Sequence, residues 1–331
     1  MTAGPAPNGA ADRARTIFFG SGAFAVPIFE ALRAHPRIEL IGVVTAPDRP
    51  AGRGRVLRPT PIGLQARSTW APLLQPTRLR DPEAIAALAE LEPDLGVLAD
   101  YGQVVPRPVL DLPKHGILNV HPSLLPRHRG ATPIPATVAE GDDRAGVTII
   151  RMDDGIDTGP IVAGQSWALT GTEGAPELEA RAAREGAELL ARTLDPWLAG
   201  TAPAIPQTSA GATVTRPFRR DAGRLDPGRP AVDLERQVRA LQPWPGTFLE
   251  TAAGRLAVIE ASVADGVGED APGELVPHGD RLALATVADR LVLDRVQLAG
   301  RRPTSGDAFL RGQRALAGTR AGDRVAAGAT S

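Results

Sequence analysis

The chain has 331 residues, no cysteine, 43% hydrophobic and 23% charged residues, and a formal net charge of −1. At roughly 100–200 residues per domain this predicts two globular domains, each able to bury a core without staples. Missing cysteine excludes disulfides, thiolate metal sites and cysteine nucleophiles, and the near-neutral balance leaves any polyanion partner to a local basic patch.

Residues 1–13 lack the apolar middle of a secretion signal and read as a disordered start. Residues 16–20 form an apolar run that ends in glycine. Phe24, Ile28 and Leu32 follow at helical spacing, and Leu40–Thr45 is a second apolar run. Strand, helix and strand within about 30 residues is a βαβ unit with parallel strands. The alternation continues, with a helix over 83–91 and strands at Leu95–Ala99, Ile117–Val120, 147–151 and 161–164. A long amphipathic helix over 175–199 closes the domain. The pattern predicts an α/β fold, a Rossmann-like open sheet with helices on both faces. Residues 201–215 are rich in small residues and proline, and read as a linker. Beyond it a helix over 231–241 precedes short runs at Phe248–Glu250, Arg255–Ile259, Leu282–Thr286 and Leu291–Leu298, the pattern of a small β-barrel or sandwich. Residues 319–331 read as a disordered tail. No stretch of about 18 apolar residues occurs, so no membrane-spanning helix is expected.

Two segments are candidates for chemistry. Gly20-Ser21-Gly22, with Ala25, meets the loose form of a dinucleotide-binding turn, yet no acidic residue closes the second strand as that fingerprint requires. A tight strand-to-helix turn that needs glycine is the favoured reading. The second segment is Ile117-Leu118-Asn119-Val120-His121-Pro122. On a strand Asn119 and His121 share a face, and ligands of open α/β sheets bind beyond the carboxyl ends of the strands. An acidic turn, Asp153-Asp154-Gly155-Ile156-Asp157-Thr158-Gly159, lies downstream and can supply a carboxylate to that histidine.

The stretches NVHPSLLPRHRGATPI and GVTIIRMDDGIDTGPIV resemble the signature of formyltransferases that use N10-formyltetrahydrofolate. The resemblance implies Asn119, His121 and Asp157 as catalytic residues, the last lying 36 residues after His121, and Ser123, Leu124, Leu125 and Pro126 as folate contacts. Residues 46–63, APDRPAGRGRVLRPTPIG, resemble the insertion loop of the family branch that formylates methionyl initiator tRNA. That assigns Arg49, Arg53, Arg55 and Arg58 to tRNA, where guanidinium forks suit phosphate. VRALQPWPGTFLE and VQLAGRRPTSGDAFLRGQRA resemble the same branch's second domain, an OB-like β-barrel. The implied organisation is a catalytic domain over 14–200, a linker over 201–215 and a tRNA-binding domain over 216–318. From residue 206 onward 17 arginines face 15 acidic residues, a weak net field for an RNA-binding domain.

The chain departs from the family pattern at Gly20-Ser21-Gly22, where Gly-Thr-Pro is usual, at Asp100, where alanine is usual, and at Pro135, where glutamine is frequent. The second domain opens on VTRPFRRDAGRLDP instead of a lysine- and glutamate-rich stretch. The expected co-substrate is N10-formyltetrahydrofolate with no metal. The expected partner is methionyl initiator tRNA, and the expected setting is a cytoplasmic monomer with no membrane association. The rivals are a formyltransferase acting on an amino sugar nucleotide, a non-catalytic RNA-binding protein on the same scaffold, and a dinucleotide-dependent oxidoreductase.

Overall fold

A computed structural model describes residues 13–51, 56–266, 268 and 270–322. The chain divides into two compact units. The first is Met1–Pro133, Arg144–Ala168 and Glu179–Thr215; the second is Ile134–Asp143, Leu169–Leu178 and Arg216–Ser331.

The strands of the first unit are β1 (Ala14–Gly20), β2 (Ile38–Val44), β3 (Arg49–Ala51), β4 (Val56–Arg58), β5 (Leu73–Leu74) and β6 (Leu95–Ala99). They continue with β7 (Ile117–His121), β8 (Arg129–Gly130), β9 (Arg144–Arg151), β10 (Ile161–Ala168) and β11 (Val214–Thr215). The helices along this stretch are α1 (Ala25–Ala34), α2 (Pro61–Ala66), α3 (Pro82–Ala89), α4 (Arg107–Leu110), α5 (Pro133–Ala139) and α6 (Ala175–Leu198). The main sheet runs β10-β9-β7-β6-β1-β2-β5. It is parallel from β7 to β5, while β9 is antiparallel to both its neighbours. β6 and β7 are buried at every residue, as strands covered on both faces must be. On one face Ile17, Phe19, Leu98 and Ile117 pack with Tyr101, Val105 and Val109. On the other, Val120 and Val147 meet α6 at Gly186, where an added Cβ would come within 3.0 Å of Val120. So the Asn119–His121 face of β7 lies opposite α6.

The second unit adds α7 (Ala231–Ala240), β12 (Thr247–Thr251), β13 (Gly254–Ala264), β14 (Leu275–His278), β15 (Arg281–Ala285), β16 (Arg290–Leu298), β17 (Thr304–Ser305) and α8 (Gly306–Gly312). Its curled antiparallel sheet runs β12-β13-β16-β15-β14, with β17 beside β16, and accords with the OB-like expectation. Among the described residues the end strands β12 and β14 do not pair, so the sheet is a half-barrel rather than a closed one. Leu234, Val238, Leu249, Leu256, Leu284, Leu293 and Phe309 form its core.

Three boundaries differ from the sequence reading. Arg13, expected in a disordered start, donates from Nε to the Ile38 carbonyl at 3.0 Å. Thr319–Gly322, expected in a free tail, are held by backbone bonds to Gly273, Leu275 and Glu250. The linker over 201–215 is not free: Ile205 exchanges backbone bonds with Ile161, and β11 pairs in parallel with β8. Composition missed these because backbone pairing needs no apolar side chain. Residues 1–12 and 323–331 lie outside the described residues. Among the described residues no helix is long and apolar enough to cross a membrane.

Candidate active site

Asn119 and His121 occupy the last turn of pleat in β7, where the parallel strands end. Both are buried, with 6% and 5% exposure, and β9 runs opposite with Ile150 and Thr148 in register. Thr148 links the strand end to the loop beyond. Its hydroxyl donates to the Ser123 carbonyl at 2.7 Å and accepts from the Leu125 amide at 3.2 Å. The loop turns through a cis Leu125–Pro126 peptide and brings the His128 carbonyl to 2.9 Å from His121 Nε2. A carbonyl only accepts, so Nε2 carries a proton and Nδ1 is the nitrogen free to exchange one.

Nδ1 faces Asp157, whose Oδ2 is 3.6 Å away. The same oxygen accepts from the Gly130 amide at 2.7 Å, and Oδ1 accepts from Asn119 Nδ2 at 2.9 Å. The three residues expected to act together therefore converge on one carboxylate. Asp157 adopts a left-handed φ of 53°, which aspartate tolerates better than most residues. The neighbouring carboxylates are engaged elsewhere. Asp153 caps its own turn by accepting from the Gly155 amide and the Thr158 hydroxyl, and Asp154 pairs with Arg107 at 3.0 Å.

The four residues expected to touch folate fall into two kinds. Ser123 and Leu125 are buried, and the Ser123 hydroxyl donates to the Arg127 carbonyl at 2.7 Å. Leu124 and Pro126 are half-buried, Leu124 against Gly146. The Ser123 and Leu125 side chains thus build the loop, whereas Leu124 and Pro126 keep part of their surface exposed. Arg49 and Arg58 pair across the exposed hairpin of β3 and β4, next to the exposed Leu57. Two guanidinium groups directly opposite on one ladder repel unless an anion lies between them. Arg53 and Arg55 lie outside the described residues.

Two departures noted in the sequence explain each other. An added Cβ on Gly22 would lie 1.7 Å from Asp100 Oδ2, so the carboxylate occupies the room that a side chain at 22 would need. Asp100 has φ 48°, and its carbonyl accepts from the Ser21 amide at 2.9 Å. The Ser21 hydroxyl accepts from the Ala46 amide at 3.1 Å. The turn is thus a structural junction, and a pyrophosphate approaching Gly22 would meet a carboxylate. Asp100 is exposed as a residue, but its carboxyl is tucked over Gly22; loss of hydration, then the nearby Glu179 charge, push its pKa up to about 6. Since 6 exceeds the ordinary 3.8, the folded state binds this proton more tightly than the unfolded state does. That contribution to stability is present at low pH and is lost as pH rises through about 6. Asp100→Asn is therefore expected to raise the melting temperature at pH 7.5, with the gain shrinking toward pH 4; thermal denaturation across that range checks it.

Residues 14–194 match the family model for the formyl transferase domain, and residues 218–314 match that for the formyl transferase C-terminal domain. The chain belongs to the formyltransferase family. It is 42% identical to a methionyl-tRNA formyltransferase of Roseiflexus sp. (strain RS-1), covering 94% of this chain and 96% of the relative. Identity to the enzyme of that name from Myxococcus xanthus (strain DK1622) is 39%, over 93% and 97%. Among solved structures, the N-formyltransferase from Helicobacter canadensis shares the fold with a TM-score of 0.62 at 14% identity, covering 85% of this chain and 98% of that one. HypX from Aquifex aeolicus does so with a TM-score of 0.60 at 15% identity, over 91% and 47%. In this chain the fold carries buried Asn119 and His121, with the half-buried Asp157, at the end of its parallel strands.

No pattern of residues marks the strap over 205–215 in advance. Thr213 accepts the His128 amide on its hydroxyl at 2.8 Å and the Arg129 amide on its carbonyl at 2.9 Å. Thr215 Oγ1 donates to the Arg129 carbonyl and accepts from the Thr132 amide, both at 3.0 Å. Such polar contacts leave no periodicity to read.

Proposed function

We infer that this chain transfers a formyl group from N10-formyltetrahydrofolate to the α-amino group of methionine carried on initiator tRNA. The observation that carries this reading is the convergence of Asn119 and His121 on Asp157, in a chain 42% identical over 94% of its length to a methionyl-tRNA formyltransferase. The folate, when bound, supplies an activated formyl carbonyl and a nitrogen leaving group. The donor set fits that chemistry: an amide and an imidazole with exchangeable protons, grouped around one partly open carboxylate.

Asn119 Nδ2 has two N–H groups and gives one to Asp157, which leaves the other for an oxygen that gains negative charge. His121 Nδ1 is placed to take the proton that the attacking amine loses, or to return one to the leaving nitrogen. The Asp157 carboxylate lies 3.6 Å from Nδ1 and faces the position through which that proton passes. His121 Nε2 stays tied to the His128 carbonyl, so the ring keeps its orientation throughout. We assign the folate contact to the Ser123-Leu124-Leu125-Pro126 loop, through its backbone, Leu124 and Pro126. The tRNA contact falls to the Arg49–Arg58 hairpin, with Arg53 and Arg55, and to the second unit. A cytoplasmic monomer is the working state.

The test incubates the purified chain with N10-formyltetrahydrofolate and, in parallel, methionyl initiator tRNA or an amino sugar nucleotide. Formylmethionyl-tRNA alone is the expected product; formylation of the sugar without the tRNA overturns the reading. Within that assay Arg53→Ala should raise the KM for tRNA about 10-fold with the folate KM unchanged, as loss of one forked phosphate contact implies. An unchanged tRNA KM removes Arg53 from the interface.

A further inference from the structure

We propose that Gln207 is a positioning residue for this reaction, locking the turn that carries Asp157 to the loop that carries Gly130. The inference rests on the formyl-transfer reading of the site. Gln207 lies in the strap that composition marks as a linker. From Ala204 to Gly211 every other residue is exposed, and Gln207 is the one turned inward.

Its amide is fully used. Nε2 donates to the Asp157 carbonyl and to the Gly159 carbonyl, each at 2.8 Å. Oε1 accepts from Arg129 Nε at 3.1 Å and from Nη2 at 2.7 Å. Two carbonyls require the NH2 end and a guanidinium requires the oxygen end, so only one orientation of the amide satisfies all four bonds. The contacts close a ring. Gln207 holds the Asp157 backbone, the Asp157 carboxylate holds the Gly130 amide, and Gly130 follows Arg129, which Gln207 holds in turn. Pairing of Ile205 with Ile161 on one side and of β11 with β8 on the other fixes the strap that delivers Gln207.

The consequence is catalytic geometry. The bond from Asn119 to Oδ1 and the approach of Oδ2 to His121 both depend on where the 157–159 turn sits. Gln207 touches neither partner, so it acts through Asp157. A displacement of the order of 1 Å at a reacting group can cost about 10²-fold in rate.

The experiment compares Gln207→Ala, Asp157→Ala and the double variant in single-turnover and steady-state formylation of methionyl initiator tRNA. Gln207→Ala should lower kcat by about 10- to 100-fold, with the KM values for folate and tRNA within about 3-fold of wild type. In the Asp157→Ala background the same change should add less than about 2-fold, because there is no carboxylate left to place. Gln207→Glu keeps the Arg129 partner, and so the strap, but loses both donors to the carbonyls; it should lose kcat as Gln207→Ala does. Unchanged kcat in Gln207→Ala, a loss in KM alone, or a full multiplicative loss in the double variant overturns the proposal. If Asp157→Ala retains wild-type turnover, the assignment of the site falls first, and the role of Gln207 with it.

Discussion

His121→Ala is expected to lower kcat for formyl transfer by about 10²–10⁴-fold, the usual contribution of a positioned group that takes up and returns a proton. The same change removes the His121 Nε2 bond to the His128 carbonyl, a net loss of roughly 0.5–1.5 kcal/mol of stability, so the variant should fold but melt earlier. Asp157→Asn separates the two effects. An asparagine tolerates the left-handed φ of 53° and can still accept from the Gly130 amide, with its NH2 meeting Asn119 once that amide flips to present its oxygen, yet it brings no charge to His121 Nδ1. It should keep the melting temperature within a few degrees and still lose about 10²-fold in kcat. Steady-state kinetics with thermal denaturation on the same preparations decide this. A His121→Ala variant with wild-type turnover would remove that residue from the chemistry.

Gly130→Ala should cost both stability and rate. Gly130 has φ 98°, where side chains are rarely accommodated, and an added Cβ would lie 2.3 Å from the Thr215 carbonyl oxygen. Backbone strain alone is worth about 1–3 kcal/mol. Relief requires moving either the strap or the loop. Moving the loop withdraws the amide that Asp157 Oδ2 accepts from at 2.7 Å, so kcat should fall about 10-fold or more. Gly312→Ala is the control: nothing lies within 4 Å of its Cβ position, and its stability should change by less than about 1 kcal/mol. Parallel melting curves and formylation rates test the pair; equal behaviour of the two variants would count against a packed strap.

Much of the fold was legible because burial leaves periodic traces. The strand predicted at Leu95–Ala99 coincides with β6, and the helix predicted over 175–199 with α6. β5, only Leu73–Leu74, and the short helices α2 and α4 carry too few residues for a period to show. The fold class followed from the βαβ alternation, whereas the open edges of the second sheet did not, since strands of a half-barrel and of a closed barrel alternate alike.

The site divides in the same way. Sequence alone determined that Asn119 and His121 share a face at a strand end, because side chains alternate along any strand. The family resemblance singled out Asp157 among three nearby acids. Only the tertiary structure decided why: Asp153 is spent on its own turn, Asp154 on Arg107, and Asp157 alone meets Asn119 and His121. Only the tertiary structure gave Ser123 and Leu125 to the building of their loop, joined Gly22 to Asp100, and put Gln207 against the catalytic turn. The physical reason is common to these cases. Periodicity records which residues leave water, whereas a hydrogen bond between segments distant in sequence depends on where the rest of the chain has carried its two ends.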